Sequence, residues 1–341
     1  MATLKIFEKT EDGIYTKYKI LGIKFTFTNK KFINSQKLNS FIGDNRKCKK
    51  ELNFDNLSKE FYRHVGYYPN LKAPKSFNEK LNWIKYNCKN IVKNKIIDKY
   101  EFKDYIKEKL GDGYTIPLIK VFNDIDDINF DGLPNKFVIK LTRGGKDKFV
   151  RIIKDKTKVN LDKIKYDFKY ELALRRRWYQ KNLGKNDINI NEKTPERVII
   201  EEYAEQKDGQ LYDYKIHCFL GEPKLIICVK DRNNGKYKIR YYDIDWNPLN
   251  IHRDDQKILA DFEKPNNYEK MLEISRILSK DFPFVRVDFY EVGDKVYVGE
   301  MTFIPLGGFC RFEPVEWDYK LGEWLDLDKI PKEYLKNNEE E

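Results

Sequence analysis

Residues 285–309 read VRVDFYEVGDKVYVGEMTFIPLGGF, and their alternation decides the fold. A strand sends successive side chains to opposite faces, so Arg286, Asp288 and Tyr290 share one side while Val285, Val287 and Phe289 share the other. Gly293-Asp294 is a turn signal, and KVYVGEMTF returns as the second strand of a hairpin. Glu300 comes twelve residues after Asp288, and Val298, Glu300 and Thr302 are expected on one face. Two carboxylates opposed across adjacent strands repel unless a cation lies between them. A divalent ion that also touches phosphate does this, because Mg²⁺ takes carboxylate oxygens together with nucleotide phosphates. Two solvated acids on an exposed sheet face are the competing reading of the same segment.

Upstream of the hairpin, ERVIIEEYA (196–204), DYKIHCFL (213–220) and PKLIICVKDR (223–232) read as strands, with a tight turn at Gly221-Glu222-Pro223. KFVIKL (136–141) and FVRII (149–153) flank a glycine-bearing loop, TRGGKDK. Residues 160–183 and 267–280 read as helices, as does most of 57–110. Ser76 followed by Glu79 is a capping-box signature, and 96–111 reads as one amphipathic helix closed by Gly111. Residues 4–28 pattern as a short basic hairpin turning at Asp12-Gly13, and 29–56 as a linker. Strands and helices in this order predict an α+β chain with mixed or antiparallel sheets.

The 341 residues suit two domains or one body with a lid. The mean hydropathy of -0.74 is low, but 23 Tyr and 22 Phe supply large buried areas. A formal charge of +11 favours anionic partners without choosing among nucleic acid, phosphorylated small molecules and anionic membranes. Cys48, Cys88, Cys218, Cys228 and Cys310 are odd in number and scattered, and His64, His217 and His252 have no metal-ligand spacing, which argues against a disulfide framework or structural zinc. The start lacks a signal peptide's apolar core and no run reaches the length of a membrane span, so a cytoplasmic location is expected.

Two further segments carry chemistry. Lys140 ends an apolar strand and is followed by Thr142, Arg143, Gly144, Gly145 and Lys146. Glycines let backbone N–H groups approach an anion, and the flanking cations neutralise it; an ordinary hairpin turn explains the same residues. IIEEYA (199–204) places acids where a strand ends, as an adenine-contacting hinge or a plain strand end would. Asp243-Ile244-Asp245 is formally a D-x-D, the pattern with which a glycosyltransferase holds a metal and a nucleotide-sugar diphosphate, but in a chain with 55 acids it reads better as a strand-end acidic turn.

The order Asp98-Lys99, FVIK, glycine loop, EEY, DYK, VKDR, R-V-D and E-M-T-F-I-P-L-G-G resembles the ATP-grasp superfamily, which includes D-alanine–D-alanine ligases, glutathione synthetases and other carboxylate–amine ligases. NEKLNWIKYN, DKYEFKDYIKEKLGDGYTIPLI, DYKIHCFLGEPKLIICVKDR, YYDIDW and FPFVRVDFYEV resemble its TupA-like branch, associated with bacterial teichuronopeptide and surface-polysaccharide synthesis, over roughly residues 57–325.

The resemblance implies a fold of two α/β lobes gripping ATP, and it implies roles. Lys99 and Lys140 would grip phosphates under a loop containing Arg143, Gly144, Gly145 and Lys146. Glu201, Glu202, Tyr203 and Ala204 would form the adenine hinge, and Asp213 would meet ribose. Lys215, Lys230, Arg232 and Arg286 would face the transferred phosphoryl group, with Mg²⁺ on Asp288 and Glu300. Thr302 stands where the superfamily usually has Asn. The implied reaction is ATP-dependent amide formation through an acylphosphate on a uronic acid, free or linked to a nucleotide or lipid, with a small amine, in capsule or surface-polysaccharide synthesis. A glycosyltransferase and an ATP-grasp kinase are the alternatives. No nucleic acid is implied as partner, and the basic hairpin is a candidate for peripheral contact with the inner membrane. The expected domains are 1–50 (hairpin and linker), 51–125 (helical), 126–204 (lid), 205–330 (C-terminal ATP-grasp subdomain) and 331–341 (acidic tail).

Overall fold

A computed structural model of the chain describes residues 7–12, 15–20, 23–28, 54–89, 91, 94–143, 149–182, 196–204, 211–230, 238–253 and 260–336. It forms two units, Met1–Asn53 and Phe54–Glu341. In the first, β1 (Phe7–Asp12), β2 (Tyr15–Ile20) and β3 (Ile23–Thr28) pair antiparallel in that order. The expected single hairpin is therefore a three-stranded meander, because IKFTFT folds back on β2 with Tyr15 opposite Thr28.

The second unit opens with helices α1 (Phe54–Val65) and α2 (Phe77–Asn87). The capping box of α2 is present: Ser76 Oγ accepts from the Glu79 amide, and the Glu79 carboxylate accepts from the amides of Ser76, Lys75 and Asn70. The expected helix 96–111 divides into a single turn, α3 (Asn94–Ile97), and α4 (Glu101–Leu110). Buried Asp98 causes the break, since its carboxylate accepts from the Tyr100 and Glu101 amides and so satisfies the exposed donors of a helix start. Lys99 is thereby set on the capping turn. Gly111, at φ 86, ends α4.

β4 (Leu118–Phe122), β5 (Phe137–Leu141), β6 (Val150–Ile153) and β7 (Val198–Glu202) form an antiparallel sheet in the order β4-β7-β5-β6. Phe137, Ile139 and Leu141 alternate into its core and meet Ile164, Phe168 and Leu172 of α5 (Leu161–Asn182) at helical spacing. Lys140, between two inward residues, faces the other way.

The larger sheet comprises β8 (Asp213–Phe219), β9 (Glu222–Lys230), β10 (Lys238–Tyr242), β12 (Phe284–Val292) and β13 (Lys295–Thr302), in the order β10-β9-β8-β12-β13 with every pair antiparallel. A two-stranded ribbon, β11 (His252–Arg253) with β14 (Phe312–Glu313), lies apart in pairing. The β8–β9 turn falls on Leu220-Gly221, at φ 51 and 86, so Glu222 and Pro223 already belong to β9. One face of the sheet (Tyr214, Ile216, Cys218, Val285, Val287, Phe289) packs on α6 (Tyr268–Ser279). On the other face, the Phe219 and Phe284 end is covered by Phe77 of α2, and Trp324 of α7 (Glu316–Trp324) packs on Phe219. The helices thus cover the apolar end of that face, and the charged end carries the site.

Candidate functional site

On the charged end, Arg286 pairs with His217, Asp288 with Lys215 and Tyr290 with Asp213 across β12 and β8. Asp288 also stands opposite Glu300 on β13. Both acids face the same side, as the sequence predicts. The cation between them is Arg286: its Nε donates to Asp288 Oδ1 at 2.6 Å, and its terminal nitrogen donates to Asp288 Oδ2 at 2.8 Å, Glu300 Oε1 at 3.0 Å and Thr302 Oγ1 at 3.0 Å. Lys215 adds a further ion pair to Asp288 and lies 3.6 Å from Asp213. Carboxylate repulsion therefore does not by itself require a metal here; an arginine answers it. Burial alone would raise the Asp288 carboxyl, but Arg286 and Lys215 outweigh it and hold the group well below the usual range.

One expectation about this hairpin fails. Val298 pairs with Phe289 on the opposite face and is buried, because the register shifts between Asp288 and Phe289. Gly299 is the extra residue of this bulge; a Cβ there would lie 2.6 Å from the Tyr290 ring. The bulge re-aims the strand so that Glu300, 48% exposed at its side chain, stands at the open edge while Asp288 is buried.

His217 lies beneath Arg286, and burial with the neighbouring guanidinium pushes its pKa down to about 3. It is buried and packs on the ring of Phe284. Beyond Thr302 the chain makes a left-handed turn at Leu306, Gly307 and Gly308, at φ 50, 68 and 79. Helix α2 holds this turn through a stripe of polar residues. Asn78 exchanges hydrogen bonds with the backbone of Cys310, Asn82 donates to Gly308 O and Lys85 to Gly307 O.

A second charged cluster lies on the smaller sheet. Glu201, 6% exposed at its side chain, accepts Lys103 at 2.6 Å on Oε1 and forms an ion pair with Lys140 through Oε2. Burial opposes ionisation, but the two ammonium groups outweigh it and lower the pKa. Lys99 is buried enough that its pKa falls, and the charges it feels are Glu300 from the larger sheet, then Lys140, Glu201 and Asp98. The Lys99 backbone N–H donates to Thr142 O, which fastens the α4 cap to the end of β5. Nothing in the sequence singles out Lys103. It lies one helical turn after Lys99, but its ion pair depends on α4 packing against a strand distant in the chain.

The other expected residues divide. Glu202 is exposed, Tyr203 and Ala204 are half-buried, and Arg143 is buried. The ammonium of Lys230 stands over the rings of Tyr212 and Phe262, at 5.4 and 4.8 Å, and not among the Asp288 contacts. Gly144, Gly145, Lys146 and Arg232 lie outside the described residues. Asp243 accepts hydrogen bonds from Asp245 N, Asn247 N and Asn247 Nδ2, so the D-x-D closes its own turn.

The two clusters differ in charge. On the larger sheet Asp213, Asp288 and Glu300 share Arg286 and Lys215, whereas Lys103 and Lys140 share Glu201 beside Lys99. The first set is short of positive charge and offers only oxygen donors, which fits a hard divalent ion at the Glu300 edge. Among the described residues no three of the Asp, Glu, His and Cys side chains converge closely enough to hold a metal by themselves. The second set has positive charge to spare, which fits a polyanion.

The TupA-like ATP-grasp family matches residues 79–326. The chain belongs to that family. No curated protein gives a significant match. Among solved structures, this TupA-like chain is similar to D-alanine–D-alanine ligase from Bacillus anthracis at 19% identity, over 61% of this chain and 57% of that one, with a TM-score of 0.35. The Helicobacter pylori D-alanine–D-alanine ligase is 15% identical, over 74% and 70%, with a TM-score of 0.37. N5-carboxyaminoimidazole synthetase from Staphylococcus aureus, in complex with ADP, is 16% identical, over 61% and 44%, with a TM-score of 0.30. The chain spans little more than half the length of the Bacillus anthracis ligase it matches.

Proposed function

We propose that this TupA-like chain is an ATP-dependent carboxylate–amine ligase that forms an amide on the carboxylate of a uronic acid during assembly of a bacterial surface polysaccharide. The observation that carries the reading is the difference in charge between the two clusters: Lys103 and Lys140 share the single carboxylate of Glu201, whereas Asp213, Asp288 and Glu300 share Arg286 and Lys215. A magnesium triphosphate supplies both missing charges.

In this reading Lys99 and Lys140 bind the phosphates, with the loop from Arg143 through Gly144, Gly145 and Lys146 above them. Glu202, Tyr203 and Ala204 form the adenine hinge, and Asp213 meets ribose. Glu201 serves the phosphate side, since its carboxylate is spent on lysines. Mg²⁺ on Glu300 and Asp288, with Thr302 beside them, would polarise the phosphates. Arg286 orients Asp288 and, with Lys215, lies where negative charge develops. The substrate carboxylate oxygen bonds to the γ-phosphorus as the bond to the ADP oxygen breaks. The amine then bonds to the acyl carbon, and phosphate leaves with the amine's proton released to solvent or buffer. Residues 126–204 act as a lid over 205–330, which keeps water from the acylphosphate.

The acceptor is a uronic acid, free or linked to a nucleotide or lipid, and the amine is an amino acid or amino alcohol. The basic N-terminal strands suit contact with an anionic inner-membrane surface; among the described residues no helix is long and apolar enough to cross a membrane. A coupled ADP-release screen of uronic-acid nucleotides against small amines tests the reading, with product mass separating amide from phosphate ester. ADP release that needs both substrates supports it. Turnover of a UDP-sugar without ATP would end it in favour of a glycosyltransferase.

A further inference from the structure

We infer that Lys103 is a positioning residue for the triphosphate: it keeps Glu201 neutralised when Lys140 leaves that carboxylate to bind phosphate. This rests on the reading of Lys140 as a phosphate ligand. Glu201 is almost fully buried and divides its oxygens between two cations, Oε1 to Lys103 at 2.6 Å and Oε2 to Lys140. A phosphate near Lys140 competes for the same ammonium. If Lys140 were the sole partner of Glu201, binding would strand a buried carboxylate beside an incoming polyanion, and both desolvation and repulsion would oppose it.

Lys103 prevents this because it is anchored twice. Its ammonium donates to Ile116 O at 2.5 Å as well as pairing with Glu201, and it comes from helix α4, not from the strand that carries Lys140. Of the two lysines that share Glu201, Lys103 is the fixed partner and Lys140 the exchangeable one. Without Lys103 the Glu201 carboxylate would keep one lysine where it now has two, and that one is the lysine the phosphate draws away. The Lys103 charge acts on the nucleotide through Glu201 and not by touching it.

The test is calorimetric binding of AMP-PNP with Mg²⁺, and separately of adenosine, to the full chain carrying Lys103→Met, Glu201→Gln or both. Lys103→Met should weaken AMP-PNP by about tenfold or more and leave adenosine within about twofold. Adding Glu201→Gln should restore most of the lost affinity, because the stranded charge is gone. Lys103→Arg, which keeps the charge and is less prone to misfold, should bind AMP-PNP as the wild type does. A double variant no better than Lys103→Met, or equal losses for AMP-PNP and adenosine, would overturn the inference. So would wild-type affinity in Lys103→Met, which leaves the ATP reading intact. A wild-type chain that binds neither ligand overturns the ATP reading itself.

Discussion

The two charged clusters solve one problem in opposite ways. On the larger sheet a buried acid is surrounded: Asp288 takes both arms of Arg286 together with Lys215. On the smaller sheet a buried acid is outnumbered by bases, as Glu201 is shared by Lys103 and Lys140. Each arrangement stabilises its own carboxylate, but only the surplus beyond neutrality can act on a ligand. That surplus is negative on one side and positive on the other, and in the proposed reading the mismatch, not either cluster alone, calls for a metal–polyanion ligand. Asp318 supplies the contrast. It is equally buried, but its oxygens accept from Asn78 N, Asn78 Nδ2 and Tyr67 OH, and burial pushes its pKa up to about 6.

The comparison breaks most severely at Asp288. Asp288→Ala takes from buried Arg286 and Lys215 the carboxylate they share, leaving only Glu300 and Asp213, which should cost about 3–5 kcal/mol in denaturant unfolding. ADP release should fall about 10²–10³-fold. Glu300→Ala separates the ligand-facing role from the structural one. Its exposed edge position predicts a stability change below about 1 kcal/mol, with a loss of turnover of about 10²-fold that extra Mg²⁺ partly offsets. If the two variants lose stability equally, the contrast between a buried and an edge acid is wrong. Gly299→Ala sharpens the same point, because the new Cβ meets the Tyr290 ring. Shifting Glu300 by a fraction of an ångström should slow turnover about tenfold or more, and overpacking should cost about 1–3 kcal/mol.

The smallest effect on turnover belongs to Asp318. Its folded pKa lies above the ordinary 3.8, so the native state binds a proton that the unfolded chain has released. The stability it contributes is complete below about pH 4 and is lost as pH rises to about 6, by about 1–3 kcal/mol. Unfolding midpoints across that range check the slope, and Asp318→Asn should flatten it. Asp288, lowered instead of raised, has the opposite sign: its contribution is lost as pH falls below the usual carboxylate range.

Much of this was legible along the chain because it depends on alternation. Arg286, Asp288 and Tyr290 share a face for the reason that any strand has two faces, and the Ser76–Glu79 box follows from local spacing. What escaped was settled by contacts between distant segments. Lys103 acquires its partner only when α4 packs near β7, and Arg286 bridges the two acids only when β12 and β13 pair. Alternation alone puts Val298 on the wrong face because a bulge changes the count, and a glycine in a strand signals that option without fixing it. The helix expected over 96–111 broke at Asp98 because a buried side-chain cap outcompeted periodicity.

The polar stripe on α2 has a practical consequence for trimming the protein. The family match begins at residue 79 and stops at 326, but Ser76, Phe77 and Asn78 are fully buried just before the first boundary. Past the second, Leu335 bridges to Cys88, and Lys336 donates its amide to Asn87 O. A recombinant piece cut at the family limits would lose the cap of its first helix, the phenylalanine under the large sheet and the strap across that helix's far end. Expression should begin no later than the start of α1 and run through residue 336.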